Sequence, residues 1–312
     1  MKKSINNLLF ITLLLLISFE VIKENQIVIS SVKFSLKIWQ ENIFPSLFPF
    51  FIISNILISL HFPEILGEIF KNFMLKVFKI NGNAAFILFL SMLSGFPSSA
   101  KYTKELLENK LIDNDDASKV LTFTHFSNPL FVISTLSMFI ADNKIIVAVL
   151  LSHYMGNFVV GLLFRNYKCK NFLPSKSNIS AITTSTENFG VIITKSISSA
   201  INSLLLILGT VSTFLIITTL INDIFQFNGI SKAIINGLFE ITQGLKSLEY
   251  LNISHSIKGL ISTFILSFGG LSVHMQILTI ISDTKIKYFP YFISRIIHSF
   301  VSSLLFCLLI IL

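Results

Sequence analysis

The chain has 312 residues, 53% of them hydrophobic and only 13% charged, with a mean hydropathy of +0.77. That is too little charge to cover a soluble globule of this length. Its net charge of +8 is scattered through loops between apolar segments, the pattern of a membrane protein's basic loops and not of a nucleic-acid-binding face.

The first apolar run, residues 5–22, follows Lys2 and Lys3. No small-residue cleavage site follows it at Ser18-Phe19-Glu20, so it reads as a retained membrane helix. Further apolar runs occupy 43–60, 84–97, 119–140, 144–164, 201–221, 257–281 and 288–312. A span needs about 20 apolar residues, which leaves 84–97 too short to cross alone. Between 60 and 84 the apolar positions from Ile65 to Phe78 recur at helical period, with Glu68, Lys71, Asn72 and Lys76 on the other face. Pro63-Glu64 opens this helix and Asn81-Gly82-Asn83 stops it. A second amphipathic helix is predicted from Ser99 to Leu111. Asp113-Asn114-Asp115-Asp116 lacks the turn Gly and distal Glu of a calcium loop and reads as a solvated N-cap. Residues 165–188 are polar and join the two halves. Cys169 in a basic loop and Cys307 in an apolar run imply neither a disulfide framework nor a metal site.

Loop charge sets the topology. Arg165, Lys168, Lys170, Lys176 and Lys195 place the central linker in the cytoplasm. Counting back from it and forward from Lys2 puts both flanks of 84–97 on the cytoplasmic side, so that run dips in and returns. The same reading makes 257–281 a second hairpin, entering from outside with its tip at Gly269-Gly270. Glu64, Gly95 and His125 are spaced about 30 residues apart, as are Glu240, Gly270 and His298. Paired Gly/Pro-interrupted segments in two halves are the sequence mark of a transporter site built on an inverted repeat.

The expected fold is therefore all-α and polytopic, with about six full spans plus two re-entrant or broken hairpins. Its parts are an N-terminal helix and connector over 1–42, a first repeat with its crossing helix over 43–164, a polar linker over 165–199 and a second repeat over 200–312.

The chemistry sits at the breaks. In Ser94-Gly95-Phe96-Pro97-Ser98-Ser99-Ala100-Lys101, Gly95 and Pro97 break the apolar helix and Ser98 or Ser99 can cap the next. Lys101 in that first turn opposes the helix dipole unless an anion is also bound. The counterpart offers Gly269, Gly270, Ser272, His274 and Gln276, polar groups that lipid does not tolerate unpaired. Asn128-Pro129 frees a backbone carbonyl and adds an amide. Arg295 either grips an anion in a cavity or snorkels to the interface. Glu240 with Thr242 is either a coupling-ion site or a first-turn interfacial acid. The chain carries no Walker loop, dinucleotide Gly motif, His-Glu-x-x-His or Cys-x-x-Cys, and no nucleophile motif around Ser98, Ser99 and His125. It reads as a non-enzyme without cofactor or metal.

Four motifs, Ser-Gly-Phe-Pro-Ser-Ser-Ala-Lys (94–101), Phe-Ser-Asn-Pro-Leu-Phe (126–131), Phe-Glu-Ile-Thr-Gln-Gly (239–244) and Gly-Gly-Leu-Ser-Val-His-Met-Gln (269–276), resemble the YlbJ-type sporulation integral membrane proteins, in order along nearly the whole chain. Ser99 departs from that pattern, in which a Gly often follows the Pro-Ser. The resemblance implies a Gate, or nucleoside-recognition, module and a place in the mother-cell-derived membrane around the forespore. It also implies dipicolinic acid as cargo. The expected function is a carrier for this small organic anion. A non-transporting sporulation scaffold and a nucleoside permease are the other readings. The expected partners are the anionic substrate and the lipid bilayer, with no nucleic acid; the sequence does not set the oligomeric state.

Overall fold

The computed structural model describes residues 11, 12, 15, 18–168 and 188–311. Cys169, Lys170, Lys176 and most of 5–17 lie outside the described residues. Among those described, all regular structure is helical, and five helices are long and apolar enough to cross a membrane.

Helix α1 (Asn25–Ile38) passes through a π-helical turn (Trp39–Ile43) into α2 (Phe44–Ser59), so the boundary expected at residue 42 falls inside one continuous helix. The π turn directly precedes Pro45 and Pro49, whose missing N–H groups loosen the ladder there. The amphipathic stretch forms α3 (Phe62–Phe73) and a π turn ending at Phe78, as its period predicts. Helices α4 (Ala84–Ser94) and α5 (Ser98–Glu108) follow. Then come α6 (Asn114–Val120), an extended stretch, α7 (Pro129–Leu136) and α8 (Asn143–Leu163). The second half begins with α9 (Phe189–Phe225), which takes up part of the expected 165–199 linker. It continues with α10 (Gly229–Phe239), α11 (Ile241–Glu249), α12 (His255–Phe268), α13 (Gly270–Ile281) and α14 (Tyr288–Ile311).

The first hairpin is α4 and α5 together. Asn83 donates to Leu111 O at 3.0 Å, the Phe86 and Tyr102 rings meet at 5.7 Å, and Tyr102 donates to Ser94 Oγ at 3.1 Å, so the limbs run antiparallel from foot to tip. Residues 98–108 are thus the returning limb and not a surface helix. At 1.5 Å per residue each limb is about 16 Å long, half a bilayer core. The α5 face from Ser98 to Thr103 is buried, which a surface helix would not be.

The second hairpin is a correction. Residues 257–281 do not fold back. Gly259 lies against Ile145 and Phe306, at the far end of α14, while His274 bonds Tyr288 at its start. Since α14 is about 36 Å long, α12 and α13 traverse it. The hairpin is α10–α11, with Glu240 at its tip: Asn236 donates to Ser247 at 2.8 Å across the limbs. Two glycines, 237 and 244, let the two limbs touch.

The run 119–140 is likewise an interrupted span, α6–α7. The order hairpin, interrupted helix, unbroken helix therefore occurs twice, as α4–α5, α6–α7, α8 and as α10–α11, α12–α13, α14. Glu64 and Glu240 do not correspond, since one opens a surface helix and the other tops a hairpin. Nor do His125, in a break, and His298, in an unbroken helix.

Helices α8 and α14 cross closely, because a Cβ on Gly156 would meet Ser302 Oγ and His298. Small residues at such crossings let membrane helices pack where no hydrophobic drive exists. Helices α1–α2 and α9 form a second apolar cluster around Phe51, Leu204 and Leu215. Its antiparallel pairing is fixed by Ser35–Ser212 (2.7 Å), Trp39 Nε1 to Leu204 O (2.9 Å) and Asn55 to Ser196 O (3.2 Å).

One end of the molecule is tied by Lys119 donating to Lys79 O (2.9 Å), by Lys79 donating to Asn166 (2.7 Å) and by Lys287 N donating to Ser118 Oγ (2.9 Å). There Lys104 also donates to both oxygens of Asp283 at 2.7 Å, which holds that exposed carboxyl below its ordinary value. Asp113 caps α6 as expected, accepting from Asp115 N and Asp116 N. The opposite end carries Asp142, Tyr250 and residues 226–228.

In a cysteine-free background, single cysteines at Lys71, Lys110 and Asp283 are expected to react with an impermeant thiol reagent from one side. Cysteines at Asp142 and Tyr250 react only from the other. Labelling of Lys110 and Asp283 from opposite faces contradicts the crossing of α12–α13.

Candidate functional site

Both hairpin tips and both helix breaks meet in the middle of the molecule. Gly95 has φ +77°, and a Cβ there would lie 2.5 Å from Asn128 N, so the first tip rests on the first break with no side chain between. The turn contains a cis Phe96–Pro97 peptide. Gly269 has φ +91° and abuts the His125 ring, which brings the two breaks together. Gly270 lies against Gly237 O and Ile241 N, the second tip.

At this junction is a cavity of about 60 Å³. Phe96 enters from the first tip, and Ser127, Asn128 and Phe131 from the first break. Glu240, Ile241 and Thr242 come from the second tip, and Ser272, Val273 and Gln276 from α13. Residues of the π turn and α2 (Ile43, Ser46, Leu47) and of α9 (Ile207, Val211) close the side. Three helices, α7, α11 and α13, begin at the breaks and the second tip around it and bring their N-terminal, positive ends to its wall. Asn128 caps α7, accepting from Leu130 N at 2.8 Å and Phe131 N at 3.2 Å, and donates to Leu93 O at 2.9 Å. Glu240 caps α11, accepting from Gln243 N at 3.0 Å and from Thr242 Oγ1. The hydroxyls of Ser127 and Ser272 are fully buried with no hydrogen-bond partner. Buried polar groups left this way cost roughly 1–3 kcal/mol each unless a ligand or water meets them. No Lys or Arg is among the cavity's lining residues.

The expected site residues separate into three groups. Asn128, Glu240, Thr242, Ser272 and Gln276 line the cavity, and Gly95, Pro129, Gly269 and Gly270 shape its walls. Pro97, Ser98 and Lys101 face a separate cavity of about 40 Å³ between the hairpin, Phe51 and Ser203. Ser98 does not cap α5; its hydroxyl turns back to Gly95 O and Ser94 Oγ. The Lys101 ammonium has no hydrogen-bond partner and sits 5.0 Å from the Phe51 ring centre, with the unpartnered hydroxyl of Ser99 also buried in this hairpin.

His274 and Arg295 are the third group, and both are engaged by protein. His274 bonds Tyr288 OH at 2.7 Å and Phe268 O at 3.1 Å. Arg295 neither lines the cavity nor snorkels: it is fully buried. It donates to Asn157 Oδ1 at 3.2 Å, to His298 Nδ1 at 2.8 Å and to Thr122 O, where α6 ends. A cation at a helix C-terminal end meets the negative end of the dipole. With Arg295 donating, the Nδ1 of His298 is the acceptor and its Nε2–H donates to His153 O at 2.8 Å.

Four residues escaped the sequence reading. Ser127 stands beside the Asn-Pro break and was legible there. Phe96 was read only as part of a turn. His153 and Asn157, one turn apart in an apolar helix, hold the first break: His153 Nε2 accepts from Ser127 N at 2.9 Å and Asn157 donates to His125 O at 2.5 Å. Two polar residues at i, i+4 in such a run were the available signal.

The fold and site define a multi-pass helical membrane protein with two re-entrant hairpins and two interrupted spans around a central cavity. The chain belongs to the YlbJ family of sporulation integral membrane proteins. It is 31% identical over 327 aligned positions to the sporulation integral membrane protein YlbJ of Bacillus subtilis (strain 168), covering 94% of this chain and 80% of that protein. No family model and no solved structure matches the chain.

Arg295→Gln is expected to destabilise the fold by about 3 kcal/mol, because Thr122 O and the His298 ring lose a buried charged donor. Arg295→Lys fails to restore it, since one ammonium cannot reach Asn157, His298 and Thr122 O as the planar fork does. Thermal unfolding in detergent is the measurement. Wild-type stability of the Lys variant contradicts the clamp.

Proposed function

We propose that the chain is a carrier for a small organic anion, acting in the membrane around the forespore of a spore-forming bacterium, with the central cavity as its substrate site. The observation that carries this reading is the convergence of three helix N-terminal ends, of α7, α11 and α13, on a cavity holding two unpartnered hydroxyls, Ser127 and Ser272. Half-helix N-termini facing a mid-membrane cavity are how carriers meet anionic groups without a fixed cation. The family resemblance points to dipicolinic acid as the cargo.

The two sets of hairpin, interrupted helix and unbroken helix form, in this reading, an inverted repeat. Residues 95–97 then pair with Glu240, the break at 124–128 with Gly269, and His153 with His298. The ring centres of the last pair are 4.9 Å apart. The Gate resemblance fits this arrangement.

Glu240 has a defined task here. A buried carboxylate beside an anion site opposes the substrate unless it carries a proton or a cation. Glu240 with Thr242 is thus the coupling site, loaded when the anion binds. The cavity has room for a few waters and not for a ring with two carboxylates, so substrate enters when the tips part from the breaks.

Uptake of labelled dipicolinate into liposomes containing only this protein tests the reading. Expected are saturable uptake, a loss of about tenfold or more in apparent affinity for the Ser127→Ala, Ser272→Ala double variant, and uptake by Glu240→Gln that no longer responds to an imposed proton or cation gradient. Absence of uptake at normal membrane abundance favours a scaffold. Saturable uptake of nucleosides in its place favours a permease.

A further inference from the structure

A second chamber of about 390 Å³ adjoins the central cavity on the side of Asp142 and Tyr250. The two share Phe131 and Thr242. Three segments carry the lining from one chamber to the other at intervals of about one turn: Thr242, Lys246 and Glu249 on α11, Phe131 and Thr135 on α7 with Phe139 in the turn after it, and Asn42, Ile38 and Phe34 along α1 and its π turn. Such register makes one continuous path and not two unrelated hollows.

The outer chamber differs from the inner one in its chemistry. It is lined by aromatic rings and holds the first cations on the path, Lys246 and the exposed Lys37, together with two carboxylates, Glu41 and Glu249, nearer its mouth than Thr242. The Lys246 ammonium lies 3.6 Å from the centre of the Phe34 ring, spanning the chamber from the second hairpin to α1. A ring face is a weak substitute for an anion: such contacts give about 0.5–2 kcal/mol, less than a charge-assisted hydrogen bond to a carboxylate. The hydroxyl of Thr135 in the same wall is buried without a partner.

Resting on the carrier reading, we propose that this chamber is an outer subsite for a small aromatic carboxylate, in which Lys246 leaves the Phe34 ring for the carboxylate. The freed face of Phe34 takes the solute's ring. The anion waits there, one helical turn from Thr242, until the tips part. Lys246 is thus a capture residue for the solute and plays no part in holding the central site together.

The test combines binding and flux on the full chain in lipid, with pyridine-2,6-dicarboxylate as probe and benzoate as competitor. Lys246→Gln is expected to raise the half-saturating concentration about tenfold or more while maximal flux per molecule stays within about twofold. Lys246→Arg keeps wild-type values. If the Gln variant is poorly abundant, Lys246→Cys is used, with amine restored by aminoethylation, which should recover affinity. Unchanged half-saturation in the Gln or Cys variant, or a fall in maximal flux alone, overturns the subsite and leaves the carrier reading standing. Binding that depends on Lys246 in a protein without flux supports the subsite and removes the carrier.

Discussion

Two spans are cut in the middle of the membrane, and the backbone groups this frees set the terms for everything around them. Lipid offers no partner for an open N–H or C=O, so each must be met by protein. The two unbroken helices do most of this. From α8, His153 takes Ser127 N–H, Asn157 bonds His125 O, and Tyr154 donates to Met92 O and Ser127 O. From α14, Arg295 reaches Thr122 O, and His298 ties Arg295 to α8. The close crossing at Gly156 follows, because only adjacent helices can share these residues between both breaks. An intramembrane arginine without a carboxylate is then intelligible: Thr122 O, Asn157 Oδ1, His298 Nδ1 and Ser294 Oγ accept from its guanidinium.

This division leaves the site itself lightly furnished. What faces the cavity is mostly apolar side chain, with a few hydroxyls, the amides of Asn128 and Gln276 and capped helix ends, and Glu240 is the single acid. The apolar frame of α1–α2 and α9 covers one flank and has its own cluster, separate from the main core. Hairpins, breaks and frame thus carry different loads: His153, Asn157, Arg295 and His298 hold the interior without meeting the cavity, while Asn128 and Glu240 both cap helices and line it.

Much of this was legible in the sequence. Composition fixed the membrane class, Gly95 with Pro97 marked a hairpin tip, and Asn128, Glu240, Ser272 and Gln276 were singled out as polar groups at breaks. The second hairpin was misplaced because length is ambiguous: 257–281 is long enough to cross, and Gly269-Gly270 serves an interrupted span as well as a turn. The true tip has no tip glycine, only Glu240 in extended conformation between two short helices. Arg295 was read toward substrate because a charge in an apolar run looks unpaired in one dimension. Two of its partners, Thr122 O just beyond α6 and Asn157 on α8, lie more than a hundred residues away.

The contact between tips and breaks has a particular surface. At Gly95 against Asn128, and at Gly270 against Gly237 and Ile241, bare main chain touches main chain. At these points the joint holds no rotamers to rearrange, and at the first tip only two side chains cross it: Phe96 stacks on His125 at 4.8 Å and Asn128 donates to Leu93 O. Parting its faces means unstacking one ring pair, breaking one amide hydrogen bond and wetting the peptide groups between. The joint should then tolerate changes of polarity nearby and reject a single added methyl group, a mechanical tolerance set by thickness rather than by chemistry.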